Sequence, residues 1–265
     1  NLVGQFITEK SAIDLLASRP SWSPLSDLYQ NSEAVIRDFE MRGKPQLTTR
    51  VLDHSILRFS PQGKAIRRVH EIIAIRSRDA AEEFGELALP AEAQPILIYT
   101  RKSSGHVRFA SWSSDKETIS LPDLVKGDYV VAIYIEHAEN HALNSNGFLS
   151  ERAFLRDTGL PIFRGRFDVL TSQPKGVSFE RLNGAPPPLW GQNEGISQAT
   201  FRFAETTPAT TEPRGPSPMA WLPSIRVGQR IDFNAGLRTV QEQILKQRNQ
   251  SARFAQWVQT ITKDA

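Results

Sequence analysis

The run Tyr129-Val130-Val131-Ala132-Ile133-Tyr134-Ile135 has no polar interruption. A strand with one wet face alternates apolar and polar side chains, whereas an unbroken β-branched run is apolar on both faces. This segment therefore has to cross the middle of a sheet that is covered on both sides. Gly127-Asp128 just before it is a turn signal. The run is far short of the roughly 18 apolar residues that a membrane helix needs, and no other apolar run in the chain approaches that length. No membrane span is expected in this segment.

The rest of the middle of the chain reads as shorter strands. Glu33 to Met41 and Leu47 to Phe59 have strand character. In the second, Val51, Leu57 and Phe59 share one parity with Asp53 and Ser55 between them. Ser60-Pro61-Gln62-Gly63 is a turn signature, and Lys64 to Arg76 is its return strand, with Val69, Ile73 and Ile75 on one face. Ile96 to Arg101 and Val107 to Trp112 flank Ser103-Ser104-Gly105 as a second hairpin. Leu121 to Asp128 reads as one helical turn ended by Gly127. Phe148 to Leu155, Pro161 to Leu170, Val177 to Leu182, Ile196 to Phe203 and Ile225 to Val227 complete the set. On Pro161 to Leu170, Phe163, Phe167 and Val169 face one way, and Arg164, Arg166 and Asp168 the other. Residues 204–223, with Pro208, Pro213, Pro216, Pro218 and Pro223, read as an extended, irregular connection. Roughly ten strands with turns at short intervals predict a large antiparallel twisted β-sandwich.

Both ends change period. Ile7, Ala12, Ile13, Leu15 and Leu16 form an amphipathic helical stripe that Arg19-Pro20 ends. Asn234 can cap a helix carrying Leu237, Val240, Ile244 and Leu245. Ser251 can cap another carrying Phe254, Trp257, Val258 and Ile261. The predicted organisation is a helical lead-in over 1–30, a β-sandwich domain over 31–231 and a helical segment over 232–265. A chain of 265 residues accommodates one such large β domain.

The chain has no cysteine, which excludes disulfides, thiolate metal sites and a Cys nucleophile within this segment. Lys and Arg number 32 against 29 Asp and Glu, a net charge of +3. So small a surplus, with tryptophans that do not interleave with the arginines, predicts no nucleic-acid partner.

The order of motifs resembles a bacterial domain-of-unknown-function family found N-terminal to transglutaminase-like domains in envelope or secreted proteins. The resemblance is carried by Arg50-Val51-Leu52, the Ser60-to-Gly63 hairpin, Gly85-Glu86-Leu87-Ala88-Leu89-Pro90, and the Leu121-to-Asp128 segment with its strand. It continues through Leu160-Pro161, the Arg166 strand, Pro174-Lys175-Gly176, Glu212-Pro213 and Leu222-Pro223, so that it covers about 33–230. It implies a sandwich similar to the N-terminal β domain of zinc aminopeptidases, and a periplasmic or secreted location. It also implies a cysteine-protease-like domain after this segment, toward which the helix around Trp257 leads. The Cys-His-Asp chemistry of that domain cannot be placed here, because no cysteine exists.

Several residues invite a chemical reading. His137 and His141 stand at i, i+4 with Glu139 between them, a spacing that could face one metal on a helix. They follow a strand and lead into Asn144-Ser145-Asn146-Gly147, so a solvated loop without metal is expected. His54, His70 and His106 read as surface or satisfied strand residues, and Ser103-Ser104-Gly105-His106 as a turn. Arg164 and Arg166 could line a basic groove or form cross-strand ion pairs. Trp190, between Pro186-Pro187-Pro188 and Gly191, could stack on a glycan or pin its loop to the sandwich. The sequence thus predicts a non-catalytic interaction or positioning module with no cofactor, whose partner is a protein or a neighbouring domain of its own polypeptide. The candidate contacts are Trp190, Arg164, Arg166, His137 and His141. Alternatives are a carbohydrate- or peptidoglycan-binding module, an enzyme with a site near His137 and His141, and a structural subunit of a multi-protein envelope complex.

Overall fold

A computed structural model describes residues 28–44, 46–59, 65–91, 93–111, 116–138, 147–193, 195–210 and 215–229, with Asp14, Arg238, 240–242 and 244–246. The chain runs α1 (Ser32–Arg42), β1 (Thr49–Phe59), β2 (Ala65–Ala74), α2 (Arg78–Phe84), β3 (Glu86–Ala88), β4 (Gln94–Arg101), β5 (Val107–Phe109) and β6 (Thr118–Ser120). It continues through β7 (Tyr129–His137), β8 (Phe148–Leu149), β9 (Ala153–Phe154), β10 (Ile162–Thr171), β11 (Val177–Leu182), β12 (Leu189–Asn193), β13 (Ile196–Thr206) and β14 (Ser224–Gln229). Eight strands form the main sheet in the order β12-β13-β10-β1-β2-β7-β4-β5. A smaller sheet has the order β11-β14-β8, with β9 also on β14, and β3 pairs with β6.

The expected mainly β architecture holds, and so does the central strand. The apolar run is β7, flanked by β2 and β4, and its buried residues belong to cores on both faces. One detail departs from an antiparallel plan: β1 and β10 run parallel. The chain between them is long enough to carry the intervening elements and return, which a hairpin cannot do.

One face of the sheet packs on α1. Val35, Ile36 and Phe39 are buried there against Leu52, Ile56, Ile72, Val131 and Ile133. This corrects the strand reading of Glu33 to Met41. Asn31 caps the helix by accepting a hydrogen bond from Ala34 N at 2.9 Å, and the i, i+1, i+4 spacing of the buried residues places them on one helical face, whereas a strand would point Val35 and Ile36 to opposite sides. The opposite face carries two separate lids. The small sheet covers Leu57, Phe167, Val169 and Phe201, whereas α2 and the β3–β6 pair cover Ile73, Ile98, Val130 and Ala132. α2 is a helix that the sequence pattern did not announce.

Leu121 to Asp128 is a pair of turns rather than a helical turn. Asp123 and Gly127 have φ of 55° and 103°, which breaks helical geometry. Asp128 is fully buried and explains the segment. It accepts backbone N–H groups from Val125 at 3.0 Å and Ser103 at 3.1 Å and pairs with Lys102, tying two loops to the start of β7. Phe148 to Leu155 is two short strands, and β13 runs to Thr206, into the stretch expected to be irregular. Of the terminal helices, Asp14, Arg238, 240–242 and 244–246 are helical; the remaining positions of both stripes lie outside the described residues.

Candidate functional site

Pairing registers place two rows of polar side chains across the α1 face of the sheet. His70, His54, Arg166 and Arg202 are successive partners from β2 through β1 and β10 to β13. Arg68, Ile56, Asp168 and Thr200 form the next row. All share the face of Leu52 and Ile72, which α1 and the residues before it cover.

The β1–β2 end of these rows is sealed. His54, His70, Arg68 and Asp168 are inaccessible to solvent. His54 Nε2 lies 2.8 Å from Asp168 Oδ2. Its Nδ1 faces two donors, Gln30 Nε2 at 3.0 Å and an Arg68 nitrogen at 3.3 Å. Two donors at Nδ1 require that atom to accept, so the proton sits on Nε2 and is donated to Asp168. Burial, supported by the Arg68 charge, pushes His54 down to about 4 against the pull of Asp168. Burial alone would push the Asp168 carboxyl up. Hydrogen bonds from His54 and Thr200 and the Arg166 charge overcome this and hold it at about 2. The pair is thus a neutral imidazole donating to a carboxylate. Asp168 Oδ1 also accepts from Thr200 at 2.6 Å and Gln198 at 2.9 Å. His70 Nε2 meets Ser32 Oγ at 3.0 Å, while burial and the Arg68 charge keep His70 well below its usual range.

The β10–β13 end opens to solvent. Arg164 pairs with Asp38 of α1, which Arg42 also pairs. Arg166 Nε stands 2.7 Å from Asp168 Oδ2, yet it makes no hydrogen bond. Arg202 lies directly opposite Arg166 and is exposed. A cleft of about 390 Å³ runs beside Gln30, Arg164, Arg166, Arg202 and Ala204. The structure therefore unites Arg164 and Arg166, as the basic-groove reading required, and adds Arg202 and Gln30, which that reading lacked.

The other sequence candidates lie elsewhere. His137 ends β7, exposed, beside a second cleft lined by Arg67, Glu136, Ser150 and Glu151. His141 lies outside the described residues, and among those residues no cluster of His, Asp and Glu could hold a metal. Trp190 sits on edge strand β12, not on a loop; it is 54% exposed and its ring meets Phe179 edge-on at 5.8 Å. His106 is in an exposed turn, bonded to Ser104. His54 is a satisfied strand residue, as read, whereas His70 leaves its buried Nδ1 without a partner among the described residues; the two belong to one network that their separate positions in the sequence concealed.

No protein-family model matches the chain, and no curated protein is similar to it. Solved structures are similar in fold. A "putative protease" from Parabacteroides distasonis ATCC 8503 aligns with a TM-score of 0.60 at 13% identity, over 79% of this chain and 45% of that one. An M1 zinc metallopeptidase from Deinococcus radiodurans aligns with a TM-score of 0.38 at 13% identity, over 67% of this chain and 41% of that one. This chain thus spans less than half the length of either protein, and the likeness is one of fold.

Proposed function

We propose that this chain is a non-catalytic interaction and positioning module of a larger bacterial envelope or secreted protein, accessory to a downstream transglutaminase-like domain. The observation that carries the reading is the closure of the His54–Asp168 pair, both members of which have no solvent exposure. A general base has to reach its substrate within hydrogen-bond distance. Here Nε2 is spent on Asp168, Nδ1 receives two donors, and α1 lies over that face. Such a network fixes four strands in register and leaves the sheet surfaces, with their two clefts, as rigid ground for recognition. Among the described residues no helix is long and apolar enough to cross a membrane.

The test is to express the chain alone and with the polypeptide that follows it in its gene, then cross-link and assay both. The reading expects contact between this segment and the following domain, with acyl-transfer or hydrolytic activity only when that domain is present. Activity in the isolated chain that is lost in His54→Ala would overturn it. The half-exposed Trp190 keeps one second reading in view, a glycan-binding module. That reading requires Trp190→Ala to abolish retention on a peptidoglycan column while the melting temperature stays near the parent's.

A further inference from the structure

We propose that Arg166 and Arg202, with Arg164 at the side, form a binding subsite for a small oxyanion, the phosphate or carboxylate group of a ligand seated in the adjoining cleft. The inference goes beyond the module reading and does not depend on it.

Three observations converge. First, Arg166 and Arg202 are direct cross-strand partners. Like charges placed opposite each other destabilise a strand pair, since their Cβ atoms lie only about 5 Å apart. Second, donors remain available. Arg166 is only 21% exposed and its Nε is held by Asp168 at 2.7 Å, but among the described residues neither its two terminal nitrogens nor the Arg202 guanidinium makes a hydrogen bond. A guanidinium offers five N–H groups in a planar fork that matches a carboxylate or phosphate. Third, among the described residues the charge around the cleft does not balance. Arg42, Arg164, Arg166 and Arg202 meet Asp38 and Asp168, with Glu205 near Arg42. His54 is neutral and offsets nothing.

The counter-charge among the described residues is already committed. Asp168 serves His54, Thr200, Gln198 and Arg166, and Asp38 is shared by Arg42 and Arg164. An oxyanion between Arg166 and Arg202 would accept from both forks and relieve their repulsion. The cleft of about 390 Å³ has room for the small molecule that bears it.

Thermal unfolding with sodium phosphate or sodium succinate, each compared with sodium chloride at equal ionic strength, tests the proposal. It should be run on the parent, Arg202→Ala and Arg202→Glu, with isothermal titration of phosphate and succinate as the direct measure. The parent should show a saturable rise in melting temperature with at least one of the two oxyanions that chloride does not reproduce. The preferred one tells phosphate from carboxylate. Arg202→Ala should weaken that binding at least tenfold. Arg202→Glu, which supplies Arg166 with a built-in carboxylate, should melt at or above the parent without the oxyanion and respond to neither. Identical responses of the parent and Arg202→Ala, or a parent that cannot tell either oxyanion from chloride, would overturn the proposal.

Discussion

The two faces of the main sheet both carry charge in their middle, and they treat it in opposite ways. On the α1 face, His54, Asp168, Arg68 and His70 are inaccessible to water. On the opposite face, a strip of Arg50, Asp53, Arg67, Glu71, Tyr134 and Glu136 crosses between the two lids and stays largely half-exposed. Arg50 pairs with Glu71 and with Asp157, and Arg67 with Glu136. Ion pairs that water can reach are individually worth little, about 0–1 kcal/mol. Sealed polar groups have no such tolerance: removing one partner strands the rest. The comparison teaches that the sealed face is where this fold is specified and the half-open strip is where it can be edited.

The largest expected effect follows. Asp168→Ala removes the acceptor of His54, Thr200 and Gln198 and the counter-charge of Arg166 at once. A loss of about 3–5 kcal/mol is expected in urea unfolding, the range for breaking a buried charge pair. Adding Arg166→Met should recover part of that loss, because the stranded cation is gone. A loss below about 1 kcal/mol would mean that water reaches the network and that the contrast between the faces is overstated.

Acid should separate the faces next. His54 titrates near 4 in the folded chain, below its ordinary 6.5. Between these values the unfolded chain binds a proton that the folded chain refuses, so stability falls as pH drops through that window. Below it Asp168 takes over, from 3.8 down to about 2, again losing stability as pH falls. The His54 part alone amounts to something on the order of 3 kcal/mol. Unfolding free energies from pH 7 to 4 in the parent and His54→Gln should diverge least at the acid end. Parallel curves would remove His54 as the cause.

A steric change on β10 ranks below these. An ideal Cβ on Gly165 would lie 2.0 Å from the Phe203 ring, which covers the glycine from the neighbouring strand. Gly165→Ala should therefore cost about 1–3 kcal/mol as that ring is displaced. Combined with Phe203→Ala, the cost should be much less than the sum of the single changes, which a double-mutant cycle reads directly.

Much of this could be read before the structure, and the residues show why the rest could not. The apolar run at 129–135 announced a central strand because only double coverage permits it. The alternation on β10 placed Arg164, Arg166 and Asp168 on one face. What alternation cannot say is whether a face is wet. His54 is flanked in its own parity by Leu52 and Ile56, and His70 by Ile72, all buried, so the signal for a sealed polar pair was present but weak. Counting back from a turn at 60–63 would have set His54 opposite Val69, one residue off its observed partner His70, because Phe59 pairs with Ala65 rather than Lys64. Nothing local could reveal that β10, more than a hundred residues on, lies parallel to β1 and brings Asp168 to His54. The same holds for Arg202 against Arg166, a pairing across two intervening strands and their loops. The helix at 32–42 was legible from the apolar residues Val35, Ile36 and Phe39, whose i, i+1, i+4 spacing fits one helical face and not one strand face, and from the Asn31 cap.

The smallest effect carries the sharpest sign. Asp53 lies on the half-open strip between Arg50 and Arg67, and burial pushes its carboxyl above the usual carboxylate range despite both guanidinium charges. A folded-state value above the unfolded one means that the folded chain takes up its proton first as pH falls. At neutral pH the ionised carboxylate is therefore a cost, which acid relieves. This is the reverse of His54 and Asp168. Asp53→Asn removes the charge and leaves Arg50 with Glu71 and Asp157, and Arg67 with Glu136. It should raise stability at pH 7 by up to about 1 kcal/mol, discounted for the solvent that reaches the strip. That gain should shrink toward pH 4 in urea unfolding. A loss at pH 7 would show that Asp53 is instead a needed partner for the two arginines, and that the strip is as tightly specified as the sealed face.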